Sequence, residues 1–461
     1  MSSGLLCTIH DLRFTIGNPL VHESAPSAAA TPSPASQPFA RSLSQWTVAG
    51  FVINSVMGSA IFGLPAILIG LSGAWSTWII LAGGVINAAI MACFAEVASQ
   101  FKEHGGPYLY DKVAFGRFVA LQAGWLNWLV RVASSAANAS LFVIYLGELW
   151  PDASGTVARV VIITSLLGSL AVANVIGTRA GASVSTATVI AKVAPLVILV
   201  GFVAIKGGEP AVLPSHTVET RNALEAFLLI TFLYGGFESG LMSLGEVKNP
   251  RRSVVVALAV GLATCALLFT AVQWAVVHTI GAAPSARPVA DAASRVLGYP
   301  GGIAVSIVAL ISMYGYLSAQ MLNVPRLTYA LATGGDFPAF FARIHPRFRT
   351  PYSSVALFAI IVWVLAVFGT YRYAIGVSSG ARIIVYGTVC AALLALRRKF
   401  PDAPAFRIPG APAIGAISMI VLIAPLTQLK RNEIIITGIV IAFAAVFWLL
   451  TRRRSNTANR A

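Results

Sequence analysis

The chain has 461 residues, of which 57% are hydrophobic and 10% charged, with a mean hydropathy of +0.80. A soluble domain carries about 25% charge, so this composition excludes an ordinary soluble globular protein and points to a lipid-embedded one. The formal charge of +16 does not signal nucleic acid, because Lys and Arg lie in short clusters between apolar runs rather than on one basic face.

In chain order, residues 1–40 come first, with Ser, Ala and Pro dominating Ser24 to Pro38. Such a segment cannot bury enough apolar surface to order itself, and it has no long apolar core of a cleaved signal peptide. It reads as a disordered cytoplasmic tail. Apolar runs follow at roughly 46–70, 73–100, 118–148, 156–177, 183–206, 223–243, 253–280, 302–325, 353–370, 374–396, 411–429 and 433–451. Each is near the length that crosses a hydrocarbon core of about 30 Å, which predicts an all-α membrane protein of about twelve spans. Numbered from a cytoplasmic start, the inside segments hold twenty Lys and Arg and the outside segments eight. That bias keeps both termini in the cytoplasm.

Two runs are interrupted at their centres. The first span carries Asn54-Ser55-Val56-Met57-Gly58-Ser59-Ala60, and the sixth carries Phe232-Leu233-Tyr234-Gly235-Gly236-Phe237-Glu238. A broken helix exposes backbone groups that lipid cannot satisfy, so such breaks are tolerable only around a polar cavity. Paired breaks at the start of matching halves are a mark of secondary transporters with inverted repeats. Spans one to five (41–206) and six to ten (207–400) form the two candidate repeats, and five crossings, being odd, invert the second. Residues 401–451 hold spans eleven and twelve, for which a scaffold or homodimer contact is expected, and 452–461 form a basic cytoplasmic tail.

Free N–H groups after the first break, at Gly58, Ser59 and Ala60, suit a carboxylate, with the Ser59 hydroxyl as a further donor. The same small residues also suit close helix contact. Carbonyls freed near Phe232 and Gly235 suit an ammonium, and Phe232 and Tyr234 are large enough to close over a ligand. Glu238, buried by position, needs a partner or a proton. Cys7, Cys93, Cys265 and Cys390 show no metal-ligand spacing, the His residues form no motif, and no phosphate loop is present. No cofactor, metal or ATP is therefore expected.

These segments resemble the amino acid-polyamine-organocation permeases. The likeness is carried by Asn54 to Ala66, Gly105-Gly106-Pro107-Tyr108, Tyr234 to Glu238, Glu246 to Arg252, Pro325 to Ala330, Phe337-Pro338, His345 to Phe348 and Thr350-Pro351, in order from 41 to about 400. The resemblance implies the leucine-transporter fold, and transport of an amino acid or amine by proton symport or by exchange. It assigns the carboxylate to Ser59 and the amides near Ala60, the amine to carbonyls near Val56, Phe232 and Gly235, and a gating role to Phe232. Ala60 departs from the glycine usual there.

Two intramembrane cations stand out, since each is costly in lipid. Lys192 resembles a lysine that proton-dependent relatives place where sodium-coupled members bind a cation. It is expected to link spans five, one and eight when protonated, the alternative being a lysine that snorkels to the surface. Arg131, in span three, either pairs with Glu238 or faces an acidic or polar substrate side chain. The overall expectation is an amino acid permease of a bacterial inner membrane, proton-coupled and taking a neutral or acidic amino acid. An exchanger of amino acids or polyamines and a non-transporting amino acid sensor are the rivals, and no catalytic constellation marks an enzyme.

Overall fold

The structure, a computed structural model, describes residues 45–101, 105–176, 183–206, 218–238, 250–402 and 406–458. The expected tail over 1–40, the later part of the sixth span from Ser239, and the run Glu246 to Asn249 lie outside the described residues, as do Lys102, Arg179 and Lys248. Regular structure among the described residues is helical throughout, as a bilayer requires of a chain that must satisfy its own backbone groups locally.

In order the α-helices are α1 (Gln45–Val56), α2 (Ala60–Ser72), α3 (Ser76–Ser99), α4 (Gly106–Phe115), α5 (Arg117–Leu149), α6 (Thr156–Ile176), α7 (Ser183–Lys206) and α8 (Thr220–Leu233). They continue as α9 (Pro250–Thr279), α10 (Pro288–Leu297), α11 (Tyr299–Thr333), α12 (Tyr352–Phe368), α13 (Tyr371–Lys399), α14 (Ala411–Leu426) and α15 (Arg431–Ala458).

Seven stretches among the described residues are long and apolar enough to cross a membrane, against about twelve expected. Part of the difference has a simple cause. The stretch Ala60–Ser99 counts once but has 40 residues, about 60 Å at 1.5 Å per residue, or twice a bilayer core. The 3₁₀ turn Gly73–Trp75 divides it. Elsewhere the breaks shorten helices: α1 has 12 residues and α8 has 14. The apolar helices α12 and α14 are also short, at 17 and 16 residues.

Burial sorts the helices by role. The apolar window of α5 is 83% buried inside the protein and that of α13 is 67% buried, whereas that of α15 is 11% buried. α5 and α13 are thus enclosed by other helices and can carry polar groups, while α15 presents Ile439, Phe443, Val446 and Leu450 outward, as suits lipid contact. α5 holds Arg131, Ser134, Ser135 and Asn138 on its buried length. α13 holds Ser378, Ser379 and Arg382.

Candidate functional site

The first break begins where Gly58 leaves the helical ladder. Met57 N still donates to Ile53 O at 2.9 Å, but Gly58 N turns to Val56 O at 2.9 Å. The groups this frees are taken up by neighbouring helices. Ser59 N donates to Asn138 Oδ1 at 3.0 Å, and Asn138 is itself anchored through Nδ2 to Ser134 O at 2.8 Å. Tyr371 Oη donates to Ser59 O at 3.2 Å. Lys192 Nζ donates to Asn54 Oδ1 at 2.8 Å and to Met57 O at 3.3 Å, and Ser312 Oγ reaches the same carbonyl at 3.2 Å. The Lys192 ammonium, 1% exposed, therefore ties α7 to the break of the first span, with α11 on the shared oxygen. It does not snorkel.

In the second break Gly235 N bonds to Phe232 O at 3.2 Å and Gly236 takes φ +111°. That angle favours glycine. A Cβ on Gly236 would also run into Ser55 O, so the two breaks pass in direct backbone contact. Glu238 folds back over the turn. Its Oε2 accepts from Gly236 N at 3.0 Å and from Tyr386 Oη at 3.0 Å, and its Oε1 lies 3.4 Å from Arg131 Nη2 and 3.8 Å from Arg382 Nε. The pairing of Arg131 with Glu238, rather than an unpaired guanidinium, is what the structure contains.

Between the breaks is a small cavity with free space of about 10 Å³, room for about one water molecule. Val56, Gly58, Ser59, Ala60, Phe232 and Gly235 line it, all of them singled out from the sequence. Arg131 and Tyr234 do not. The Tyr234 hydroxyl donates to Ile80 O at 3.0 Å and its ring packs against Phe269, so it braces α3 and α9 rather than covering a ligand. Arg131 stands behind the lining with Glu238.

Five lining residues were not assigned to the site from the sequence: Ser55, Ser134, Asn138, Tyr316 and Arg382. Arg382 had a signal. It lies within the apolar run 374–396, and the rule that selects Arg131 as a costly intramembrane cation selects it equally. Asn138 is spaced to share a face with Ser134 at i, i+4, but its bond to Ser59 is visible only in three dimensions. Ser59 itself is fully buried, its amide taken by Asn138 and its Oγ without a hydrogen-bond partner. The hydroxyl is therefore the Ser59 group left free at the cavity. Among the described residues no cluster of His, Cys, Asp and Glu is arranged to hold a metal ion.

Interrupted helices meeting around a small polar cavity inside an apolar helical bundle are the architecture of a membrane transporter. The amino acid permease family matches residues 43–451, and the chain belongs to that family. Among its relatives, the serine/threonine exchanger SteT of Bacillus subtilis is 27% identical over 66% of this chain and 72% of its own. An uncharacterized transporter of Mycobacterium tuberculosis is 28% identical over 88% of this chain and 91% of its own. The methylthioribose transporter of Bacillus subtilis is 27% identical over 83% and 87%. The chain is accordingly an integral membrane transporter of a bacterial membrane.

Proposed function

We propose that the protein is a secondary active amino acid transporter that takes a neutral or acidic amino acid into the cell by alternating access, coupled to protons. The two five-helix halves, 41–206 and 207–400, act as inverted repeats within about twelve spans, the first span formed by α1 with α2 and the sixth beginning at α8. Both termini face the cytoplasm of an inner membrane. The observation that carries this reading is the cavity between the breaks, with Ser59 Oγ unpartnered at the start of the half-helix Ala60–Ser72. A carboxylate there meets a hydroxyl donor and the positive end of a helix dipole.

Support for proton coupling comes from Lys192. Its ammonium holds Asn54 and Met57 O, so loss of its proton would weaken the link between α7 and the first break. Exchange is the second reading, favoured by the resemblance to a serine/threonine exchanger. Uptake of a panel of labelled amino acids into proteoliposomes separates the two. Symport predicts accumulation into empty vesicles under an inward proton gradient. Exchange predicts uptake only when the vesicles are preloaded with amino acid, and no uptake under either condition removes the transport reading.

A further inference from the structure

Arg382 occupies the place where a substrate ammonium is expected. Its Nη1 donates to Thr231 O at 3.5 Å and Phe232 O at 3.4 Å, its Nη2 to Ser134 Oγ at 3.5 Å, and its Cζ lies 5.8 Å from the Phe232 ring centre. Gly235 makes the room, since a Cβ there would collide with the guanidinium. These bonds are at the long limit for N–H···O contacts. The Nε–H has no hydrogen bond, and the carboxylate 3.8 Å away belongs to Glu238, which Arg131 approaches more closely.

The side chain is nonetheless 97% shielded, so a full positive charge is held out of water with weak compensation, a costly arrangement. A ligand carboxylate in the cavity supplies what is missing, because a guanidinium fork matches a carboxylate in two parallel hydrogen bonds. Ser59 Oγ, buried and unpartnered, lines the same cavity beside the N-terminus of the 13-residue helix α2. One small cavity therefore holds two anion-seeking groups, and the carbonyls freed by the second break already face a fixed cation.

The geometry points to a small dicarboxylic solute, net anionic, as the substrate, with Arg382 as the residue that selects it. This deepens the proposed function and rests on it. One carboxylate goes to Ser59 and the first turn of α2, the other to Arg382. A zwitterion with a neutral side chain brings no net charge to the guanidinium, and a cationic solute meets like-charge repulsion. Amino dicarboxylates and amine-free dicarboxylates share the required chemistry. They differ in whether an ammonium must share Phe232 O with Arg382.

The test is ligand binding to the purified full chain in detergent, with aspartate, glutamate, succinate, serine, alanine and lysine as the panel. Dicarboxylates are expected to bind about tenfold or more tighter than serine and alanine, and lysine not at all. Arg382→Gln should erase that preference by weakening dicarboxylates about tenfold or more while leaving serine and alanine near their original affinity. Arg382→Lys, which keeps the charge, should retain part of it. Succinate binding as well as aspartate identifies the amine-free class, and aspartate and glutamate alone identify the amino class.

The inference is overturned if serine or alanine binds more tightly than every dicarboxylate, or if Arg382→Gln weakens all ligands equally. Should that variant not fold, the ranking in the unaltered protein decides. Binding of none of the panel removes the amino acid transporter reading as well as this one.

Discussion

Gly236 is the residue in this site with the least freedom to change. Its φ of +111° strains any L side chain, and a Cβ would strike Ser55 O, a backbone atom that cannot swing aside. Gly236→Ala is expected to destabilise by more than about 1 kcal/mol and to lower the thermal midpoint in detergent. Gly58→Ala is the contrast: a Cβ there meets Asn138 and Tyr316 side chains at an ordinary 3.4 Å, so folding should survive and the cavity alone narrow. At Lys192, replacement by Ala leaves Asn54 Oδ1 without that donor and Met57 O with Ser312 Oγ alone. We expect Lys192→Ala to keep substrate binding but lose uphill, pH-driven uptake; accumulation under an inward proton gradient by that variant would refute the coupling role. At this scale legibility divided along a physical line. Glycines, serines and buried charges announced the breaks by type, whereas the direction of Tyr234 depends on how α8 is rotated about its axis, which local sequence does not encode.

At the scale of elements, the short helix α4, outside the membrane-spanning stretches, is clamped to the bundle by two acidic residues. Asp336, in the loop after α11, accepts the Tyr108 hydroxyl of α4 and pairs with Arg117 Nε of α5 at 2.7 Å. Partial burial, with the Asp336 carboxylate beside it, pushes the half-buried Tyr108 phenol well above its ordinary pKa, so it stays a donor at all working pH. Asp336→Asn is expected to weaken this clamp and to raise proteolysis at the α4 and α11 loops. The second acid is Asp111, fully buried, accepting from Thr388 Oγ1 of α13 at 2.7 Å with its Oδ1 unpartnered. Burial pushes its carboxyl up to about 7, and the Thr388 bond offsets that only in part.

A carboxyl whose folded pKa is raised binds more protons folded than unfolded between about pH 4 and 7, so its contribution makes stability fall as pH rises through that window. Asp111→Asn should flatten the fall in thermal midpoint between these limits. An unchanged pH profile would show that Asp111 is not the group responsible. Element existence was legible from apolar run lengths. The clamps were not, because they join residues more than two hundred positions apart in sequence.

For the whole molecule, the enclosed helices α5 and α13 bring Ser134, Asn138 and Arg382 into the lining of the cavity between the breaks. Among the described residues, buried polar side chains are most numerous on α5, and large exposed apolar ones on α15, with others on α6, α7, α11, α12 and α14. Composition and run spacing made the membrane class readable, and the resemblance around the two breaks anticipated the family. The spans recognised by length among the described residues are fewer than expected in part because a broken helix loses the length by which a span is recognised. The central claim is that the cavity between the breaks is where the transported solute binds. Equilibrium binding of labelled substrate to purified Ser59→Leu tests it most directly, because Ser59 lines the cavity and a leucine there adds bulk to it. The account predicts folded, monodisperse protein with no saturable binding, and substrate affinity equal to that of the unaltered protein would contradict it.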